Sequence, residues 1–182
     1  MALINKHTST DDTLEKVKLR VYEILETVSD PEVPVLSVID LGIIRNIAVT
    51  QIPLLGGWGV SISITPTYTG CPAIDVMSMG IRMALLQEGF TNIAITQILS
   101  PAWTTDWMSE SGKQKLKSYG IAPPKYKKVV LSSDSFQEED IIQCPLCNSE
   151  NTRLVSQFGS TACKALYQCN ECKEPFDYFK CH

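Results

Sequence analysis

Two C-x-x-C pairs, Cys144 with Cys147 and Cys169 with Cys172, constrain what this chain can fold into more than any other feature. Each pair sets two sulfurs on one tight turn, and with 21 residues between the pairs the two turns can be brought face to face. Four sulfurs in that arrangement form a tetrahedral set suited to zinc, or to iron, with zinc–sulfur bonds of about 2.3 Å. A segment of about forty residues has too small a core to fold unaided, whereas structural zinc in finger peptides contributes about 10–16 kcal/mol of apparent binding energy. A zinc ribbon over 144–182, holding one zinc, is therefore expected. Six of the seven cysteines fall in this tail. The opening MALINKHTSTDD reads as no export signal, so metal binding fits them better than a disulfide framework. Cys163 and Cys181 are surplus to a four-sulfur site. Either can exchange with a primary ligand or help hold an iron-sulfur cluster, and Cys163 can equally be a buried small residue.

Upstream of the tail the pattern alternates between helix and strand. Leu14, Val17, Val21, Leu25 and Val28 recur at helical spacing after a capping-box pair, Asp12 and Glu15. Pro31 and Pro34 end that helix and open a loop. IIRNIAVTQI is rich in β-branched residues, and Trp58, Val60, Ile62 and Ile64 alternate with small polar ones, so two strands joined by the PLLGG turn are expected. Ile74, Met77, Ile81 and Leu85 mark a second helix stopping at Gly89, and NIAITQIL a third strand. SPAWTTDWM reads as an aromatic loop leading to a short polar helix that stops near Gly120. The order helix, strand, strand, helix, strand implies an α+β fold, a small mixed sheet covered by helices on one face. The expected organisation is an α+β domain over 1–122, a linker over 123–143 that shifts from basic to serine-rich and acidic, and the ribbon over 144–182.

Several function classes are excluded at this level. The only histidines are His7 and His182, which leaves no internal imidazole for a triad or a carboxylate–histidine metal site and argues against an enzyme that works alone. The formal net charge is -4, and in the tail Arg153, Lys164, Lys173 and Lys180 are balanced by Glu150, Glu171, Glu174 and Asp177, so no nucleic-acid partner is expected. No apolar run approaches the roughly 20 residues of a membrane span, and a cytoplasmic location is expected.

Cys71 stands apart, in TPTYTGCP, where a strand hands over to a helix with Pro72 at its start. Helix amides and the dipole stabilise a thiolate there, raising nucleophilicity and metal affinity, unless the thiol is buried and inert. A homodimer would bring two such thiols together. Asp30, Glu32 and Asp40 surround the first loop and offer oxygen ligands for iron, or else cap turns for backbone reasons. Trp103, Asp106 and Trp107 form either a partner-binding patch or core packing.

The chain resembles the PaaD (PaaJ) family of subunits of bacterial phenylacetyl-CoA epoxidase, the ring 1,2-monooxygenase. The strings that carry the resemblance are DPEVPVLSVIDLGIIRNI (30–47), TPTYTGCPA (65–73), SPAWTTDWM (100–108), YGIAPP (119–124), FGSTACKALYQC (158–169) and EPFDYFKCH (174–182). DPE, DLG and TPTYTGCP alone are similar to a wider domain of iron-sulfur carriers and cytosolic iron-sulfur targeting factors. The resemblance implies an iron-sulfur assembly-like fold with Cys71 as its metal-handling thiol and a transient iron or iron-sulfur cluster as cargo. It further implies an accessory role in phenylacetate degradation, beside a di-iron oxygenase subunit and a flavin- and iron-sulfur-containing reductase. The chain itself has no E-x-x-H pair, no flavin or nicotinamide fingerprint and no C-x4-C-x2-C pattern. Two roles stay open: maturation or repair of the partners' metal centres, and a purely structural, zinc-stabilised subunit.

Overall fold

The computed structural model describes residues 10–52, 57–124 and 142–180. Helix α1 (Thr10–Glu26) begins two residues before the expected Asp12 and buries Val21, Ile24 and Leu25. Strands β1 (Ile44–Ile52) and β2 (Gly57–Ile64) pair antiparallel. Helix α2 (Ala73–Gln87) then crosses over to strand β3 (Asn92–Gln97), which lies parallel to β2. The sheet order is β1-β2-β3, and its register explains why one face is apolar. Val49, Val60 and Ile93 form one row and Ile47, Ile62 and Ile95 the next, all packed in the core. Ser61 falls between Ala48 and Ala94 on the opposite side and is exposed. Because side chains alternate with period two along a strand, this single register fixes which face the helices cover. The fold is the expected α+β arrangement.

The proline-rich segment between α1 and β1 is not a surface loop. Val33, Leu36, Val38, Leu41 and Ile43 are fully buried, and the backbone closes on itself through Asp30 N–H to Leu36 O (2.9 Å), Val38 N–H to Val28 O (2.9 Å) and Leu41 N–H to Ser37 O (3.0 Å). Those bonds let the segment enter the core without orphaned amides. Its end is clamped by the aromatic segment. The Trp103 indole N–H donates to Leu41 O at 2.9 Å, and Ser109 N–H donates to Asp40 O at 2.9 Å. Gly42 has φ +66, and a Cβ there would lie 1.9 Å from Trp107 O. Only glycine fits.

A 3-10 turn (Thr105–Trp107) leads into helix α3 (Glu110–Ser118), whose N-cap Ser109 accepts from Gly112 N–H at 2.8 Å. Strand β4 (Ile121–Ala122) follows and pairs parallel with β7 (Pro175–Phe179). β7 pairs with β6 (Lys164–Cys169), and β6 with β5 (Thr152–Ser156). This second sheet, β4-β7-β6-β5, thus takes its edge strand from the α+β portion. Phe179 and Cys163 belong to the main core, and the Trp103 and Phe179 rings meet edge-on at 6.3 Å. A smaller cluster of Ala122, Ile142, Cys144, Cys169 and Phe176 lies under the tail's own sheet. The expected linker falls mostly outside the described residues, but on either side of it the two portions share a sheet and a core. No helix among the described residues is long and apolar enough to cross a membrane.

Gly42→Ala combines a left-handed backbone with a backbone clash and should cost on the order of 3 kcal/mol or more in urea unfolding. Gly70→Ala, at φ +81 with nothing within 4 Å of the added carbon, should cost only about 1–2 kcal/mol. Asp40, although burial opposes its charge, is held below the usual carboxylate range by Lys115, Ser109 and Ser37. Its contribution is therefore present at neutral pH and lost as pH falls below about 4, the unfolded value, and on through the lower folded one. Asp40→Asn should flatten that acid limb of a stability-versus-pH curve.

Candidate metal centre and buried thiol site

The tail's four cysteines sit on two turns of the same construction. In the first, Cys144 N–H donates to Ser149 O (2.9 Å) and Asn148 N–H to Cys144 O (2.9 Å). In the second, Cys169 N–H donates to Glu174 O (3.0 Å). The residue after each second cysteine, Asn148 (φ 62) or Lys173 (φ 68), is left-handed. That twist turns following amides back toward sulfur: Ser149 N–H toward Cys147 and Glu174 N–H toward Cys172, while Glu171 and Cys172 donate to Cys169. Amides aimed at sulfur stabilise thiolates.

The four sulfurs all lie within 4.8 Å of one another. Cys144 and Cys172 are 3.8 Å apart, and Cys147 and Cys169 3.5 Å. A regular tetrahedron with bonds of about 2.3 Å has edges of about 3.8 Å, whereas a disulfide needs about 2.0 Å. The donor set fits one tetrathiolate ion. Burial opposes ionisation at Cys169, yet the amides of Cys172 and Glu171 bring it down to about 6. Cys172 receives an amide from Glu174, but burial and its sulfur neighbours push it up to about 12. Four thiolates cannot coexist at this spacing without a cation to offset their repulsion. These four residues would hold a zinc ion, whose contribution is structural, tying the two turns together.

A second group of chemically active side chains lies at the head of α2. Cys71, 5% exposed, precedes Pro72, and its N–H donates to Tyr68 O at 3.2 Å. The Tyr68 hydroxyl is pushed up to about 12, by burial first and then by Cys71, to whose sulfur it donates, with Glu32 and Cys163 adding to the effect. Cys163, 4% exposed, is also pushed up to about 12, by burial and by Glu32 and Asp30, against the opposing hydroxyl of Thr161. Its Sγ lies 3.4 Å from Glu32 Oε2 and 3.1 Å from Thr161 Oγ1. A cleft of about 470 Å³ adjoins this group, with Tyr68, Trp103, Phe158 and Ala162 in its wall.

The structure thus sorts the expected site residues. Glu32 meets Cys163, and Tyr68 joins Cys71. Cys163 lies outside the ribbon's four-sulfur group and contacts the first loop instead; Cys181 lies outside the described residues. Asp30 spends Oδ1 on the amides of Glu32 (2.6 Å) and Val33 (3.2 Å), capping a turn, and burial still raises its pKa. Both Asp40 oxygens are occupied, Oδ1 by Ser109 Oγ (2.8 Å) and Oδ2 by Ser37 N–H (3.1 Å), Ser37 Oγ (3.0 Å) and Lys115 Nζ (2.5 Å). That leaves it a packing role rather than one at iron. Trp103 is 3% exposed and packs in the core, the second of its two expected roles; Trp107 lies half-buried under the Arg45 guanidinium (3.4 Å), and Asp106 is exposed. Tyr68 and the placement of Cys163 were missed by sequence reasoning. Tyr68 had a signal, three residues before Cys71; Cys163 had none, lying 131 residues from Glu32.

Removing the ion should separate the two thiol groups. Treatment with a strong chelator, or Cys169→Ser, should abolish one bound zinc per chain by elemental analysis and lower the melting temperature by several degrees, since the ribbon's own core is small.

With this geometry in hand, residues 130–180 match the family model described as the PaaD zinc beta ribbon domain, and residues 18–93 that of the iron-sulfur cluster assembly protein. An Escherichia coli (strain K12) protein, provisionally named as a 1,2-phenylacetyl-CoA epoxidase component, is 47% identical over 161 residues, covering 88% of this chain and 91% of that one. Among solved structures, the domain of unknown function DUF59 from Bacillus anthracis superposes with a TM-score of 0.52 at 22% identity, over 59% of this chain and 97% of that one, a likeness of fold alone. Identity at the level of the Escherichia coli relative, across nearly the full length of both proteins and with the ribbon and its four cysteines in place, establishes that the chain belongs to the PaaD family.

Proposed function

We propose that this chain is an accessory component of a phenylacetyl-CoA epoxidase system that matures or repairs the iron or iron-sulfur centres of the oxygenase and reductase subunits. In this reading the portion over 1–122 handles metal through Cys71, while the portion over 144–182, folded around zinc, docks on the client. The observation that carries it is the pairing of two unlike thiol groups in one chain. The ribbon sulfurs form a complete set for one ion, as a structural site requires. Cys71 instead stands at a helix head beside Tyr68, with no such complete set around it among the described residues. An incomplete ligand set can release what it binds. The iron-sulfur assembly match over 18–93 and the name of the Escherichia coli relative support the same direction.

A second reading, a zinc-stabilised structural subunit that moves no metal, is favoured by the way the tail shares β4 and the Trp103–Phe179 contact with the rest of the chain. Co-expression of the epoxidase subunits with a Cys71→Ser variant separates the two. Under the maturation reading, iron content and ring-epoxidation activity of the purified oxygenase fall on the order of tenfold or more, the scale of loss when a metal-site partner is removed. Full iron content and activity beside a folded Cys71→Ser chain would hand the case to the structural reading.

A further inference from the structure

We infer that the outer edge of β3 and the flank of α2 beside it form a self-complementary surface that pairs with a second copy of this chain about a two-fold axis. Three observations carry it, and none depends on the metal-handling reading. First, α2 is apolar on two sides: Ile74, Met77, Ile81 and Leu85 are buried against the core, while Val76, Met79, Met83 and Leu86 stand exposed. A helix that is apolar all round is one covered on all sides. Second, β3 is an outer strand, with no further strand beyond it among the described residues. Ile98 N–H donates to Ile64 O at 2.7 Å, and because backbone groups alternate in direction along a strand, those of Ile93, Ile95 and Gln97 point away from β2. Third, the only charged residues of α2, Asp75 and Arg82, are opposite in sign and lie about two turns apart on the flank toward β3, with Met79 between them.

One axis serves the strand and the helix together. α2 runs opposite to β3, since the Arg82 guanidinium donates to Ile93 O at 3.0 Å while Asp75 and Ser78 share a surface hollow with Ile95 and Gln97. Along the strand, Ile95 lies about 6.6 Å from Ile93; along the helix, the midpoint of Asp75 and Arg82 lies about 5 Å from Arg82. An axis through Ile95 therefore passes that midpoint to within about 2 Å. About it, the two Ile95 residues exchange both backbone bonds as an antiparallel pair, Met79 meets its counterpart, and Asp75 of each helix faces Arg82 of the other, the reciprocal pairing an isologous interface requires. An extended client peptide would take the strand edge but leave the α2 stripe and its charges unmatched; a second copy answers all three. The two Cys71 thiols then lie about 22 Å apart along the helix direction, so they hold no ion in common.

The test is sedimentation equilibrium of the zinc-loaded full chain at up to about 100 μM, with circular dichroism of each variant alongside. A species of twice the 20.2 kDa chain mass is expected. Met79→Lys, at a residue 60% exposed in one copy, sets two cations against each other and should weaken association at least about 100-fold. Asp75→Arg should weaken it about tenfold or more, and adding Arg82→Asp should restore it to within about threefold. Gln97→Pro removes an outward N–H, leaves the ladder to β2 intact and should weaken pairing about tenfold. An unaltered chain that stays monomeric overturns the inference, and so does a dimer indifferent to Met79→Lys and Asp75→Arg. A folded double variant that regains no dimer overturns the reciprocal pairing; where the double variant does not fold, Met79→Lys decides.

Discussion

The indole of Trp103 joins parts of the chain that are remote in sequence. Its N–H is committed to the carbonyl of Leu41, at the end of the first loop, and its ring edge meets Phe179 on the last strand. Burying an indole is favourable only where its N–H finds an acceptor, and here the acceptor is a loop whose own direction depends on Gly42 passing under Trp107. The first loop, the aromatic segment and the tail therefore take their places together. Glu32 lies on the first of these and Cys163 on the last, so their contact is a by-product of a packing decision made around a tryptophan.

The two thiol groups differ in what their surroundings ask of them. In the ribbon, four sulfurs are pressed together and supplied with amides, so an ion is needed to hold charges the fold has already drawn close. Cys71 and Cys163 are instead buried, the first beside the Tyr68 hydroxyl and the second beside Thr161 and Glu32, and burial pushes the Cys163 thiol up. The first arrangement suits permanent occupancy by one ion, whereas the second gathers no such set of four sulfurs among the described residues. One chain carries both because the tail's sheet borrows its edge strand from the α+β portion.

Much of the fold was legible in the sequence because it rests on short-range patterns. Helical spacing of Ile74, Met77, Ile81 and Leu85 marked α2, all four being buried, and alternation over Trp58–Thr65 marked β2. The ribbon's sulfurs were legible because C-x-x-C spacing is itself a statement of geometry. The first loop was not: Val33, Leu36, Val38 and Leu41 are buried without a regular period, since the segment follows neither helix nor strand. Nor were Trp103, Asp40 and Cys163, whose roles depend on partners 62, 69 and 131 positions away. Residue type suggested ligands and a docking patch; long-range packing turned Asp40 and Trp103 to architecture and gave Cys163 an acidic neighbour instead of a ribbon ion.

Strand β4, two residues long, lies about two-thirds of the way along the chain, yet its hydrogen-bonding neighbour β7 lies more than fifty positions later. During synthesis a nascent chain folds from its N-terminus at roughly 5–20 residues per second, so the α+β portion can assemble seconds before that neighbour leaves the ribosome. Until then Ile121 and Ala122 have an open edge and the Trp103 ring lacks Phe179 against it. The last strand to emerge acts as a latch, and closing it both pairs that edge and seats Phe179 in the main core.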